Sequence, residues 1–216
     1  MIVYCGLRHF YIHNFSPPKP DSLYILTHNN QTWDFSPELR NLGFTSQTAL
    51  STVHHLNLPV HIIPIQLGDF YPYTEEWLDF SLQYTHSIEM EYPHAWYLKL
   101  PNTGMCDQFF KDFAQRLQMH NMGGIWGGGP SKLVAKLAAH NIHHNKGGCI
   151  ILSEQTGEFL NQIPVERLPL PERDQLMKLG IKYIGELGEL PLSELMAHFG
   201  LRGESLKKIG RGEDLM

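Results

Sequence analysis

A glycine-dense stretch in the second half of the chain restricts its possible folds more than any other feature. Five of the seven residues from 123 to 129 are glycine, and Pro130 follows them. The segment from Ser131 to His140 then has the apolar spacing of a helix. The stretch matches neither glycine pattern that holds nucleotide phosphates, GxGxxG or GxxxxGK[ST]. It therefore predicts a strand edge and turn where backbones pass closely, followed by a helix.

The remaining patterns predict a mixed chain of strands and helices. Apolar runs predict strands at residues 1–7, 23–27, 60–65 and 97–100. Ser36-Pro37-Glu38 predicts the start of a helix capped by Ser36 and ended by Gly43. Further helices are predicted at 46–56, 75–87 and 106–120; in the second of these, Trp77, Phe80, Leu82 and Tyr84 are predicted to enter the core.

The last fifty residues predict a small helical domain behind a proline-rich linker at 164–170. One helix is predicted at 173–179, a tight turn at 180–182, a second helix from 184 and a third that ends at Gly200. This is a helix-hairpin-helix arrangement, which can grip DNA because it directs backbone N–H groups at a phosphate. A hairpin of a plain helical bundle has the same pattern, so both interpretations stay open.

The net charge of −5 argues weakly against a general nucleic-acid binder, but the charge is unevenly distributed. Residues 1–120 hold 6 basic and 11 acidic side chains, whereas residues 121–216 hold 11 of each. Between Asp112 and Glu154 there is no carboxylate side chain, while four basic residues and four histidines lie in this window. We expect any contact with a polyanion there.

Cysteines and histidines predict neither a disulfide nor a metal site. Cys5, Cys106 and Cys149 are far apart and form no CxxC pair. His140, His143 and His144 have helical spacing, and His54-His55 offers a second pair, but no cysteine or carboxylate lies at a fitting distance. No apolar run is long enough to span a membrane. These features predict a cytoplasmic protein without a cofactor.

Five motifs follow one another along the chain: His9-Phe10-Tyr11, ELRNLGFT at 38–45, PSKLVAKLAA at 130–139, FLNQIPVERLP at 159–169 and LMKLGIKYIGEL at 176–187. Their order resembles that of the Y-family (UmuC/DinB-like) translesion DNA polymerases. The similarity is clearest for the last three motifs, which are like the family's palm helix, its entry to the thumb and its thumb hairpin. ELRNLGFT resembles part of the fingers, and His9-Phe10-Tyr11 lies where the family has an aromatic pair.

The resemblance implies an α+β fold with a polymerase-like palm, inserted fingers and a small helical thumb containing the helix-hairpin-helix. The first part of the palm would cover 1–22, the fingers 23–70, the second part of the palm 71–164 and the thumb 165–216. The family's little-finger domain would follow the last of these segments. The similarity spans nearly the whole chain in order and is strongest at 125–190.

The family's metal-binding carboxylates have no counterparts in this alignment. Gly6 stands at the first aspartate position, and His94 and Ala95 stand where the family has an Asp-Glu pair. Two Mg²⁺ ions need several oxygen ligands, so the loss of all three carboxylates predicts a pseudoenzyme without bound metal. This departure is typical of the ImuB-type branch of accessory proteins.

The expected function is therefore that of a non-catalytic accessory factor in translesion synthesis and SOS mutagenesis. The resemblance implies weak contact with primer–template DNA and, as protein partners, an ImuA-like protein, a DnaE-type polymerase and the sliding clamp. Residues expected at the DNA are Lys132, Lys136, Lys178, Gly180, Lys182, Gly185, Lys207 and Arg211. Two alternatives stay open: an active lesion-bypass polymerase with displaced ligands such as Glu89 or Glu91, and a scaffold that does not bind DNA.

Overall fold

The computed structural model describes residues 1–16, 18–19, 22–45, 59–141, 148–168 and 170–215. The helix predicted at 46–56 and the histidines at 54–55 and 143–144 lie outside these residues. In the described part, strands and helices are mixed along the chain, which confirms the α+β fold class. No described helix is long and apolar enough to cross a membrane.

The first half of the chain alternates short strands and helices. Its elements are β1 (Ile2–Arg8), α1 (Phe10–Asn14), β2 (Leu23–His28), β3 (Gln31–Phe35), α2 (Pro37–Asn41), β4 (Val60–Pro64), a 3₁₀ turn (Leu67–Tyr73), α3 (Glu75–Leu82), β5 (Ile88–Tyr92) and β6 (Ala95–Lys99).

The second half becomes helical after two further strands. Its elements are α4 (Thr103–Met119), β7 (Gly123–Gly129), α5 (Lys132–His140), β8 (Cys149–Ile150), α6 (Thr156–Leu160), α7 (Arg173–Lys178), α8 (Ile184–Glu189), α9 (Leu192–Phe199) and α10 (Arg202–Gly210). Two more 3₁₀ turns cover Ser153–Gln155 and Val165–Arg167. The helix α10 was not predicted.

The strands of the described residues form two sheets. Five strands have the order β5-β6-β1-β7-β8, and three have the order β3-β2-β4. β2 runs antiparallel to β3 and parallel to β4, with Ile25 opposite both Phe35 and Ile62. Asn29 and Asn30 join β2 to β3 with φ values of 49° and 59°, a conformation that asparagine tolerates in a hairpin turn. β3 was not predicted, although this Asn-Asn turn is a signal for a hairpin.

The chain divides into two compact units that interleave along the sequence. One comprises Met1–Cys5, Tyr97–Asp112 and Ile125–Met216, and the other comprises Gly6–Trp96 and Phe113–Gly124. In the first, apolar residues of α5 to α10 share one core, with Leu160, Ile184 and Leu206 fully buried. In the second, Ile25, Phe35, Leu39 and Phe44 form a core, while Trp96 packs edge-on against Phe113. The division of the chain into palm, fingers and thumb segments stays a prediction.

The glycines of β7 allow close backbone approach, as predicted. A Cβ on Gly127 would lie 2.7 Å from the carbonyl oxygen of Ala135, so only glycine lets α5 pack directly on the strand. The prediction of a strand edge was wrong, because β7 lies between β1 and β8. The glycines of β7 leave its backbone uncovered by side chains, which allows the helix to pack against it.

Three local predictions also need correction. Leu82, the last residue of α3, is 42% exposed, and Tyr84, which follows the helix, is only half-buried, whereas Trp77 and Phe80 are buried as predicted. Ser36 does not cap α2 with its side chain. The Ser36 hydroxyl instead accepts a hydrogen bond from the backbone N–H of Tyr24. Because Tyr24 lies in β2, the residues around Ser36 in the sequence do not reveal this bond.

Candidate functional site

The three positions without carboxylates lie in β1, in β6 and in the turn that precedes β6. Gly6 is buried in β1, His94 lies in the turn before β6, and Ala95 is fully buried at the start of β6. The backbone N–H of Leu7 donates to the carbonyl oxygen of His94 at 2.8 Å. Gly6 and His94 therefore lie on neighbouring chain segments, as two positions of one site should.

Aromatic side chains surround His94. Its Nδ1 lies 2.9 Å from the Tyr11 hydroxyl, and its ring stacks on that of Tyr92 with centroids 5.6 Å apart. Trp33 stands edge-on to the rings of Tyr11, Tyr92 and His94. Burial raises the pKa of Tyr11 to about 12, so its phenol stays protonated at neutral pH. These contacts of His94 are therefore made by aromatic rings, and one of the rings is the phenol of Tyr11.

A buried carboxylate, Asp34, lies beside this cluster and was not among the predicted site residues. It accepts the backbone N–H groups of Tyr11 at 3.1 Å and Ile12 at 3.0 Å, at the start of α1. His9 Nδ1 lies 3.1 Å from its other oxygen, and the guanidinium of Arg40 bonds to His9 Nε2. Since Arg40 can only donate, His9 carries its proton on Nδ1 and donates it to Asp34. Asp34 thus fixes α1 from inside the unit.

These residues do not fit a pair of Mg²⁺ ions. Magnesium prefers hard oxygen ligands, above all carboxylates, whereas the aligned positions offer a glycine, an imidazole and a methyl group. Among the residues that the structure describes, no three of His, Cys, Asp and Glu come together in a group that could hold a metal. Glu89 is exposed and Glu91 half-buried on β5. No reaction step through a metal follows from this arrangement.

The predicted lysines of α5 rest on tyrosine rings. Lys132 Nζ lies 5.8 Å from the ring centroid of Tyr97, and Lys136 Nζ lies 5.6 Å from that of Tyr4. The two rings are 5.0 Å apart, and both lysines are half-buried. Cation–π attraction therefore holds both ammonium groups on one face of the helix.

The first turn of α5 is capped from within the chain. The backbone N–H groups of Lys132 and Leu133 donate to the carboxylate of Asp214 at 3.1 and 3.0 Å, and that of Val134 donates to Ser131 Oγ at 3.1 Å. The start of this helix behind the glycine-rich strand therefore already holds an anion, Asp214, which lies 82 residues from Lys132 in sequence.

The hairpin between α7 and α8 has the predicted turn but also an internal cap. Gly180 has a φ of 83°, which favours glycine, and Lys178, Gly180 and Lys182 are exposed. The carboxylate of Glu186 accepts the backbone N–H groups of Lys182 at 3.3 Å and Tyr183 at 3.2 Å. The hairpin therefore presents lysine side chains to solvent, while these two N–H groups are bonded internally.

The other predicted DNA residues differ in exposure. Gly185 is buried, and a Cβ there would overlap Asn161, so its smallness serves packing of α8 on α6. The Lys207 ammonium donates to the carbonyl oxygen of Leu190 at the end of α8. Arg211 is exposed. The contact of all eight residues with DNA stays a prediction; the side chains most open to it are those of Lys178, Lys182 and Arg211.

Curated proteins and solved structures similar to this chain are DNA polymerases. DNA polymerase IV of Desulfatibacillum aliphaticivorans is 27% identical over 187 residues, 83% of this chain and 47% of the relative. DNA polymerase IV of Yersinia pseudotuberculosis is 24% identical over 183 residues, 81% of this chain and 52% of the relative. The chain thus spans about half the length of these relatives. No protein-family model matches it.

The fold similarity covers nearly every residue. DinB from Sulfolobus solfataricus has a TM-score of 0.76 at 15% identity, covering 99% of this chain and 68% of that structure. A Y-family DNA polymerase chimera has a TM-score of 0.77 at 15% identity, covering 100% and 68%. An insertion ternary complex of Dbh DNA polymerase has a TM-score of 0.73 at 14% identity, covering 100% and 68%. The chain is therefore similar in sequence to DNA polymerase IV and in fold to Y-family DNA polymerases.

These comparisons contradict the expectation that the chain is not an enzyme. Its relatives are named DNA polymerase IV, and none of the matches reported above is a non-catalytic accessory protein. The prediction was wrong because it took three aligned positions as the only possible source of ligands, while the similarity to polymerases extends over four-fifths of the chain or more. The assignment to an ImuB-type branch finds no support in these relatives.

Proposed function

We propose that this chain is the palm, fingers and thumb part of a lesion-bypass DNA polymerase and that it holds primer–template DNA during synthesis past damage. One observation carries the proposal: the fold matches Y-family polymerases over nearly the entire chain. The similarity of the sequence to DNA polymerase IV supports the same role.

Exposed cations of the thumb-like domain support the DNA contact. Lys178 and Lys182 flank the turn at Gly180, and Arg211 follows α10. Phosphate contacts of such side chains give affinity without reading sequence. The contact would position the duplex, and the net charge of −5 would keep the total affinity low.

A salt titration of primer–template binding tests the DNA contact. We expect the affinity to fall as the salt concentration rises. The negative slope of log K against log salt should become less steep by roughly 0.9 for each lysine removed that contacts a phosphate. Lys178→Ala with Lys182→Ala should lower both affinity and slope. Lys99→Ala with Lys111→Ala removes the same charge from exposed sites elsewhere and is the matched control. Equal losses in both pairs would contradict a specific thumb contact.

Primer extension tests the catalytic part of the proposal separately. The two carboxylates of β5 are the displaced ligands suggested by the sequence, and one oxygen of Glu91 is shielded from solvent whereas Glu89 is exposed. We expect nucleotide addition in Mg²⁺ or Mn²⁺ that is lost in Glu91→Gln and kept in Glu89→Gln. DNA binding without any nucleotide addition would refute the catalytic part and leave the DNA-holding role.

Partners and location are proposed from the resemblance alone. An ImuA-like protein, a DnaE-type polymerase and the sliding clamp are the expected partners, in the cytoplasm and during the SOS response. Co-purification of the tagged chain with each purified protein, with and without primer–template DNA, tests them one at a time. A partner that fails to bind in both conditions is removed from the proposal.

A further inference from the structure

A pocket beside α5 carries an inference that does not rest on the proposed function. The pocket has a volume of about 390 Å³ and lies within one compact unit. Ligand sites commonly measure roughly 300–1,000 Å³. The cavity is therefore large enough for one or two side chains of a bound molecule.

The floor of the pocket is aliphatic. Leu133 and Leu137 face it from α5, and Ile163 and Leu168 face it from the segment around the 3₁₀ turn at Val165–Arg167. Leu137, Ile163 and Leu168 also belong to the buried core of this unit, and Leu133 packs against that core. The pocket therefore opens directly onto a hydrophobic core, so an apolar group that enters it is removed from water.

The rim is cationic and polar. Lys136 and Arg167 contribute two positive charges, and His140 and Asn141 add hydrogen-bonding groups. None of the eight described residues that line the pocket is acidic; Glu166 precedes Arg167 but is not among them. Lys136 is held in place, because its ammonium group lies over the Tyr4 ring. An occupant with negative charge beside an apolar group would be complementary to this surface.

The lining also distinguishes between a peptide and a nucleic acid. Proteins bind unpaired bases mainly by stacking them on aromatic rings; the described lining residues include no Phe, Trp or Tyr, and the ring they do include is the exposed imidazole of His140. Four aliphatic side chains below two cations suit a leucine, isoleucine or phenylalanine anchor flanked by carboxylates. We propose that the pocket is a docking site for a short acidic segment of a partner protein that inserts one or two large apolar side chains.

The proposal is tested with the whole chain and a defined set of fluorescein-labelled octapeptides. Their two central residues are Leu, Ile or Phe in every combination, and Asp and Glu flank them. Control sets carry Lys flanks or an Ala-Ala centre, and a single-stranded oligonucleotide is the competing class of ligand. Fluorescence anisotropy gives the affinity, and methyl NMR shifts locate the binding site.

We expect at least one acidic peptide to bind and to shift the methyl signals of Leu133, Leu137, Ile163 and Leu168. Arg167→Glu should weaken it by about tenfold or more, because it replaces attraction with repulsion at the rim. Arg173→Glu makes the same charge change at an exposed site that does not line the pocket, and should leave the affinity unchanged. Both side chains are exposed, so neither variant should impair folding, which circular dichroism checks.

The following results would each overturn the proposal. The first is that no peptide of the acidic set binds at millimolar concentration. The second is that Arg167→Glu and Arg173→Glu weaken binding equally, or that the methyl shifts lie elsewhere. The third is that the oligonucleotide binds and shifts the same methyl groups while the peptides do not, which would make the pocket a nucleic-acid site.

Discussion

Replacement of Asp34 by alanine tests whether one buried carboxylate organises the start of α1. Asp34 is 7% exposed and accepts the N–H groups of Tyr11 and Ile12, while His9 donates to its second oxygen. That second oxygen also accepts the N–H of Phe35 at 2.9 Å. Alanine would leave these donors without their acceptor in a site that offers little access to water.

The expected loss of stability follows from these donors. Each buried donor that loses its acceptor lowers the free energy of unfolding by about 1–3 kcal/mol. Three backbone N–H groups and one imidazole would lose their acceptor in Asp34→Ala. Since Ile12 and His9 are only half-buried, water can replace part of the lost bonding. We therefore expect Asp34→Ala to lower the free energy of unfolding by about 3–5 kcal/mol, and Asp34→Asn, which keeps one acceptor oxygen, by about 1–2 kcal/mol.

Urea unfolding followed by circular dichroism measures both variants. Asp79→Ala removes an exposed carboxylate from α3 in the same unit and is the control. If Asp34→Ala fails to fold, Asp34→Asn still gives a measurable difference. Losses for Asp34→Ala and Asp79→Ala that agree within about 0.5 kcal/mol would refute the reasoning.

Three further predictions concern packing, titration and capping. Gly127→Ala should cost about 3 kcal/mol or more, since its Cβ would overlap the backbone of α5, and thermal unfolding measures this. Burial raises the pKa of Tyr11 to about 12, so its contribution to stability is fully present below about pH 10 and is lost as the pH rises to about 12. Tyr11→Phe should therefore lose less stability over that window in urea unfolding, and in an absorbance titration it should lack one late-ionising phenol. Asp214→Ala should cost about 1–2 kcal/mol by uncapping α5, whereas Glu213→Ala should cost little, as urea unfolding would show.

The sequence predicted those helices whose apolar faces are long and regular. Phe109, Phe113 and Leu117 recur at helical spacing and are all buried in α4, although the helix begins three residues earlier than predicted. β3 was missed because a five-residue strand with Gln31, Thr32 and Asp34 lacks a clear alternation of apolar and polar residues. Its position is set by pairing with β2.

The candidate site shows a sharper limit. The absence of carboxylates at Gly6, His94 and Ala95 is a fact of the sequence, and the bond between Leu7 and His94 shows that β1 and the turn before β6 are neighbours; that these are the family's metal positions stays a prediction. The prediction of a non-enzyme drawn from this absence was wrong, because the relatives of the whole chain are named DNA polymerase IV, whereas the prediction rested on three positions alone.

The sequence by itself determined the α+β class, the segments that form most helices and the acid-free window around α5. Only the tertiary structure decided which polar groups are bonded internally. Asp34 reaches the start of α1 and Asp214 reaches the start of α5. Their partners lie 22 and 82 residues away, respectively, in the sequence. Helical periodicity depends on neighbours within two turns and is readable from the chain, whereas bonds between distant residues exist only after the chain has closed the long loops that join them.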